Sequence, residues 1–87
     1  MGNLAVKIAV YEYERGWGSK LDDWMVCLTV EDVEDFKEEF NSYNTEKTAP
    51  DWYMIAEGEP EPIDLNDAQY AILKSEGRVW LSKIKNK

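Results

Sequence analysis

The sequence predicts an α+β fold, a two-layer sandwich in which two helices lie on one face of a four-stranded, mostly antiparallel sheet, in the order ββαβαβ. Three observations lead to this prediction. Several segments alternate apolar and polar residues with the period of a strand. Two longer segments repeat apolar residues at helical spacing. The chain has 87 residues, 44% of them hydrophobic, so we expect residues 1–87 to form a single compact domain with one modest core.

The first two predicted strands form a hairpin. Ala5–Tyr13 is rich in β-branched and aromatic residues that alternate between two faces. Asp23–Thr29 alternates in the same way, with Met25 and Cys27 on one side. The intervening Glu14–Lys20 contains two glycines, and we interpret it as a turn or a functional loop between antiparallel strands.

The first predicted helix begins at Thr29, whose hydroxyl precedes an acidic first turn, as suits the positive end of a helix dipole. Apolar residues then recur with helical spacing and predict one face turned toward the core. These residues are Val33, Phe36, Phe40 and Tyr43. The other faces carry six carboxylates against Lys37 alone, so the helix is apolar on one side and anionic on the other. The pair Ala49-Pro50 would stop any continuation.

The rest of the chain predicts three more elements. Trp52–Glu57 is a third strand, and the acidic, proline-containing residues 58–62 form a stiff loop. A second helix runs from about Leu65 to Ser75, and Gly77 ends it. Its inward residues are Leu65, Ala68, Ile72 and Leu73. Val79–Ile84 is a last strand, followed by a basic tail that ends at Lys87.

The charge of the chain is large and uneven. Eighteen carboxylates face ten Lys and Arg, for a net charge of −8. Residues 1–70 hold 17 acidic and 5 basic side chains, whereas residues 71–87 hold 5 basic side chains and Glu76. The acidic body would repel phosphates, so we expect no direct binding of DNA through it. It suits a basic protein surface, including one that normally holds nucleic acid.

The composition argues against catalysis. The chain has no histidine, which is the commonest general base, proton shuttle and metal ligand. Cys27 is the single cysteine, so we expect a buried structural thiol and no disulfide, metal or cofactor. Neither a signal peptide nor an apolar run of membrane-spanning length is present, which predicts a cytoplasmic protein with no membrane contact.

The candidate partner-binding residues fall into two sets. The carboxylates of the first helix, together with Asp22-Asp23 and those of residues 57–61, would imitate a phosphate array. The helix face would supply the electrostatic approach, and a solvated face that keeps the protein soluble is the simpler interpretation. Trp17 lies between two glycines, where it would either project as an anchor or fold back to close the hairpin. Arg15 and two strand tyrosines would add contact area. The full set is Tyr11, Tyr13, Arg15, Trp17, Glu34, Asp35, Glu38 and Glu39.

An alternative function belongs to another class. Trp80 lies among Arg78, Lys83, Lys85 and Lys87, and cations beside an aromatic ring are typical of proteins that contact nucleic acid. The chain would then be a nucleic-acid-associated accessory protein that acts through its basic C-terminal strand and tail. A homodimer through an open sheet edge is compatible with either function.

Three segments resemble a known group of proteins. They are Val10–Lys20, the residues Phe40-Asn41 with Asn44-Thr45, and Pro50–Glu57. Together they resemble short, mostly uncharacterised proteins encoded by T-even-like bacteriophages, over roughly residues 6–57. The resemblance carries over no catalytic residue. It implies a small protein made in the infected bacterial cytoplasm. Together with the acidic body, this setting predicts a non-enzymatic inhibitor that binds a nuclease, a restriction or CRISPR effector, or an RNA-cleaving toxin of the host or its defences.

Overall fold

The computed structural model describes residues 2–43 and 51–86, which form an antiparallel sheet with three helices. The predicted α+β class is confirmed, with one strand and one short helix more than the sequence indicated. In chain order the elements are β1 (Asn3–Glu14), β2 (Gly18–Cys27), α1 (Val30–Tyr43), β3 (Trp52–Ala56), β4 (Glu61–Leu65), α2 (Asp67–Glu76), β5 (Arg78–Trp80) and α3 (Leu81–Ile84).

The long strand β1 organises the sheet. One edge of β1 pairs with β2, and β2 pairs in turn with the short β5. The other edge of β1 pairs with two strands in tandem, β3 beside residues 10–14 and β4 beside residues 3–7. The pairing of β1 with β2 shifts register after Val10, so Asp22 forms a bulge between Leu21 and Asp23.

The core consists of two clusters, because successive residues of a strand point to opposite faces. Val10, Met25 and Cys27 belong to the first cluster and pack against α1 through Val33 and Phe36. Val26 points to the opposite face of β2 and belongs to the second cluster. Its other members are Ala5, Leu65, Leu73, Val79 and Ile84. The helices α2 and α3 complete this second cluster. The predicted helices therefore do not share one face of the sheet, because α1 packs on the face of Met25 and Cys27 and α2 on the face of Val26.

Caps and side-chain hydrogen bonds position the helices. Thr29 Oγ1 accepts the backbone N–H of Asp32 at 3.2 Å, which confirms the predicted N-cap of α1. Asn66 and Gln69 form a reciprocal capping box at the start of α2, and Gly77 ends that helix as predicted. Asp23 accepts both the N–H and the hydroxyl of Ser82, so one carboxylate joins β2 to α3.

Several predicted boundaries were wrong. The turn after β1 is confined to residues 15–17, and β2 begins at Gly18, because polar residues and the Asp22 bulge hide the strand pattern there. The predicted loop at 58–62 contains the start of β4, an edge strand, where a proline such as Pro62 is tolerated. The predicted last strand, Val79–Ile84, is divided between β5 and α3.

Two predicted core positions are also corrected. Tyr43 is 72% exposed at the last residue of α1, and Ala68 of α2 faces solvent. The predicted helix stop at Ala49-Pro50 and the last residue of the basic tail, Lys87, lie outside the described residues.

Candidate functional site

The hairpin of β1 and β2 ends in a turn that presents Trp17. The backbone N–H of Trp17 donates to the carbonyl of Glu14 at 3.0 Å. Gly16 and Gly18 both have φ near +85°, a conformation that disfavours side chains, so the two glycines set the direction of the residue between them. Trp17 is 86% exposed and does not fold back onto the hairpin. The turn therefore holds an indole ring in solvent at the end of the β1–β2 hairpin.

A recess of about 200 Å³ lies beside this turn. Glu12, Glu14, Trp17 and Lys20 contribute to its lining. The indole Nε1–H of Trp52 donates to Oε1 of Glu12 at 2.7 Å, and the Lys20 ammonium lies 3.9 Å from Oε2. The hydrogen bond from Trp52, helped by Lys20, lowers the pKa of the Glu12 carboxyl below its ordinary value. The recess thus holds a fixed negative charge next to an exposed aromatic ring.

The tyrosines of β1 lie on the sheet face opposite to α1. The rings of Tyr13 and Tyr53 are stacked with centroids 5.1 Å apart. Tyr13 Oη–H donates to the Glu57 carboxylate at 3.2 Å, and partial burial together with this carboxylate raises the pKa of the Tyr13 phenol. Tyr11 pairs with Ile55 on β3. Both β1 tyrosines are half-buried, so they form a packed surface rather than free side chains.

Arg15 ties the turn to the start of β3. Its backbone N–H donates to the carbonyl of Asp51 at 2.9 Å, and its guanidinium lies 3.5 Å from the Asp51 carboxylate. Both side chains are largely exposed, so this ion pair contributes little stability and is open to exchange with a partner's charge.

The outer face of α1 carries the predicted carboxylates. Glu34, Asp35 and Glu38 are exposed and make no ion pair within residues 2–43 and 51–86. Glu39 differs, because its carboxylate lies 3.4 Å from the Arg78 guanidinium. Lys37 points its ammonium at the carbonyl of Gly58, 3.4 Å away, and not at these acids. Three adjacent carboxylates are therefore fixed on one helix without neutralisation by its own lysine.

The predicted residues thus fall in three places. Tyr11 and Tyr13 lie on the face of β1 opposite to α1. Arg15 and Trp17 lie in the turn, where Trp17 borders the recess that holds Glu12, and the four carboxylates lie on α1. Sequence reasoning missed Glu12 and Trp52, which are 40 residues apart in the chain. Their contact depends on the register in which Trp52 pairs with Glu14, and a single sequence does not give that register.

Part of the basic C-terminal segment packs against α1 within the fold. Trp80 packs edge-on against Phe36 and Phe40, with both centroid separations at 6.0 Å. The Arg78 guanidinium lies 5.2 Å from the Phe36 ring and pairs with Glu39. Lys83 and Lys85 are exposed.

The structure also bears on three other kinds of site: a reactive thiol, a metal site and a membrane-spanning helix. Cys27 is buried, and that burial, followed by the nearby Asp32 charge, raises the pKa of its thiol to about 11, so little reactive thiolate forms near neutral pH. Within residues 2–43 and 51–86, no three His, Cys, Asp or Glu residues are grouped so as to hold a metal ion. None of the helices described is long and apolar enough to cross a membrane.

These features define a small α+β protein with an acidic helix on one side of its sheet and an aromatic hairpin end that projects from it. No family model, curated protein or solved structure matches the chain.

Proposed function

We propose that this protein is a non-enzymatic binding protein that docks on the basic surface of a nucleic-acid-binding protein. The observation that supports this proposal is the set of exposed carboxylates fixed on α1. Glu34, Asp35 and Glu38 lack ion-pair partners in the described part of the chain, so their charge is available to a partner. Such a surface attracts a basic one over several ångströms and accelerates association.

The rigidity of α1 favours binding further. Val33 and Phe36 anchor the helix in the first cluster, and Asn41 makes two hydrogen bonds to the backbone of Ala56, at 2.9 and 3.0 Å. Carboxylates on a helix held in this way lose little conformational entropy on binding, which leaves more of the interaction energy for affinity.

The hairpin end supplies the second contact in this proposal. Trp17 offers a large exposed ring in the turn, and Tyr11 and Tyr13 offer a packed surface on one face of β1. Because the tyrosines and α1 lie on opposite faces of the sheet, a flat partner would not touch both. A basic cleft that encloses the hairpin end and reaches both faces of the sheet fits the arrangement better.

The proposal extends to a biological setting. The phage-like segments include the turn around Trp17, and we propose a phage-encoded inhibitor that occupies the nucleic-acid cleft of a host or defence protein. A nuclease, a restriction or CRISPR effector, and an RNA-cleaving toxin each hold a polyanionic substrate, which basic side chains attract. Occupation of that cleft would block substrate by simple exclusion.

The test begins with affinity capture from bacterial lysate at low and high salt, with nuclease treatment to remove partners bridged by nucleic acid. The captured protein is then purified, and association rates are compared for two variants of equal charge. One replaces Glu34, Asp35 and Glu38 by Lys, and the control replaces the exposed Asp22, Glu59 and Glu61 by Lys. Glu39 is left intact because it pairs with Arg78.

The α1 variant should associate at least about tenfold more slowly than the control, because only it places repulsive charge at the contact. Equal rates for the two variants would remove α1 from the interface.

The change Trp17→Ala should accelerate dissociation while leaving thermal stability unchanged, since the ring is 86% exposed. In a separate cleavage assay, the rate at which the partner cleaves nucleic acid should fall in proportion to the fraction of the partner that is bound in the complex.

The accessory-protein alternative rests on Lys83 and Lys85, which remain exposed in the structure. Reversal of Lys83 combined with removal of residues 85–87 separates the two proposals. Loss of nucleic-acid retention in that variant, with protein capture unaffected by charge reversal on α1, would favour the alternative.

A further inference from the structure

A second recess, distinct from the hairpin end and from the outer face of α1, lies between α1 and the β5–α3 segment. Its volume is about 540 Å³, which falls within the range of small-molecule sites. The aromatic rings of Phe36, Phe40 and Trp80 line one part of it, with Met25 and Ile84 among its apolar neighbours. Phe40 and Trp80 are only half-buried, so part of each ring borders the recess.

The rim of this recess is charged. Lys83 and Arg78 contribute two cations, and Glu76 contributes one carboxylate. The Lys83 ammonium makes no hydrogen bond or ion pair within residues 2–43 and 51–86. Arg78 contacts Glu39 through Nη2 at 3.4 Å, and its other N–H groups remain as donors. Two cations therefore border the aromatic rings, and the Lys83 ammonium is available to a ligand.

We propose that this recess binds a small planar aromatic molecule with a single anionic group. The aromatic part would pack against Phe40 and Trp80, where ring contacts add to the burial of apolar area. The anionic group would lie beside Lys83 and Arg78, which offer charge-assisted hydrogen bonds. A single charge suits the rim because Glu76 and Glu39 lie close by and would repel a polyanion.

The test uses 8-anilinonaphthalene-1-sulfonate as the anionic probe and N-phenyl-1-naphthylamine as its neutral counterpart. Affinities are measured by fluorescence titration of the full chain, and the Trp80 indole resonance shows whether the probe occupies this recess. Lys83→Gln is compared with Lys85→Gln, a matched control because Lys85 is exposed in the same segment and does not line the recess.

We expect Lys83→Gln to weaken binding of the sulfonate probe by about threefold to tenfold, and Lys85→Gln to change it by less than about twofold. The neutral probe should not distinguish the two variants. Equal affinity of both variants for the sulfonate, or an unmoved Trp80 resonance at saturation, would overturn the proposal.

Glu76→Gln provides an independent check on the charge of the ligand. Removal of this carboxylate should strengthen binding of the sulfonate probe by about twofold, because it removes a repulsive neighbour. Weaker binding would show that Glu76 attracts part of the ligand and would overturn the assignment of a simple anion. Glu76 and Lys83 are both exposed, so Glu76→Gln and Lys83→Gln should leave the fold intact. An unchanged backbone NMR spectrum outside the recess verifies this.

Discussion

At the residue scale, Glu12 shows how the hairpin end fixes a charge. The hydrogen bond from Trp52 is the main reason that the pKa of Glu12 is lowered, and Lys20 adds to the effect. The folded chain therefore favours the carboxylate more than the unfolded chain does. This contribution to stability is present above the unfolded pKa and is lost as the pH falls through the folded pKa. Acidification should thus loosen the contact between β1 and the start of β3.

Trp52→Phe tests this account. The substitution removes the indole N–H but keeps an aromatic ring, so the pKa of Glu12 should rise toward its ordinary value. An NMR titration of the Glu12 carboxyl carbon measures the change. Trp17→Phe is the control, because the structure shows no hydrogen bond from Trp17 to this carboxylate. A Glu12 titration that is the same in both variants would contradict the assigned role of Trp52.

At the element scale, the contact between α1 and β3 depends on one amide side chain. Asn41 donates to the carbonyl of Ala56 and accepts its N–H, so it satisfies both backbone groups of a buried residue on an edge strand. Asn41→Ala should lower the free energy of unfolding by about 1–3 kcal/mol, because these groups lose their partners. Urea unfolding measures the loss. Ser42→Ala, one residue along the same helix, should change the value by less than about 0.5 kcal/mol.

The elements also show what a single sequence predicts. The long β1 strand and the cap of α1 follow from alternation and from Thr29, which are local signals. The strand β4 was missed because Pro62 and its acidic neighbours resemble a loop, and only pairing with β1 makes them a strand. The four-residue α3 is too short to show helical periodicity, and its position depends on Asp23, 59 residues away from Ser82.

The candidate site likewise has features that local sequence signals predict and features that depend on contacts between distant residues. The anionic face of α1 follows from helical spacing and was found in the sequence. The flanking glycines left open whether Trp17 projects or folds back, and the structure shows that the ring is exposed. The recess near Glu12 and the one beside Trp80 were not found, because each joins residues from separate elements.

At the scale of the whole molecule, self-repulsion limits stability. Residues 1–70 carry 17 acidic and 5 basic side chains. The three ion pairs in the described part of the chain join side chains of which at least one is more than a third exposed, so they offset little of this repulsion. An increase in sodium chloride from about 10 to 300 mM shortens the screening length severalfold and should therefore raise the melting temperature. Lysines in place of Glu34, Asp35 and Glu38 should reduce that rise.

The same salt interval should have the opposite effect on binding. If the carboxylates of α1 provide the approach to a basic partner, screening weakens the attraction and slows association, even as it stabilises the free protein. Stopped-flow association rates and melting temperatures measured in the same buffers should thus move in opposite directions. An association rate that does not change with salt would mean that charge contributes little to the encounter. The indole of Trp17 and the tyrosines of β1 would then provide the main contact, since apolar burial depends only weakly on ionic strength.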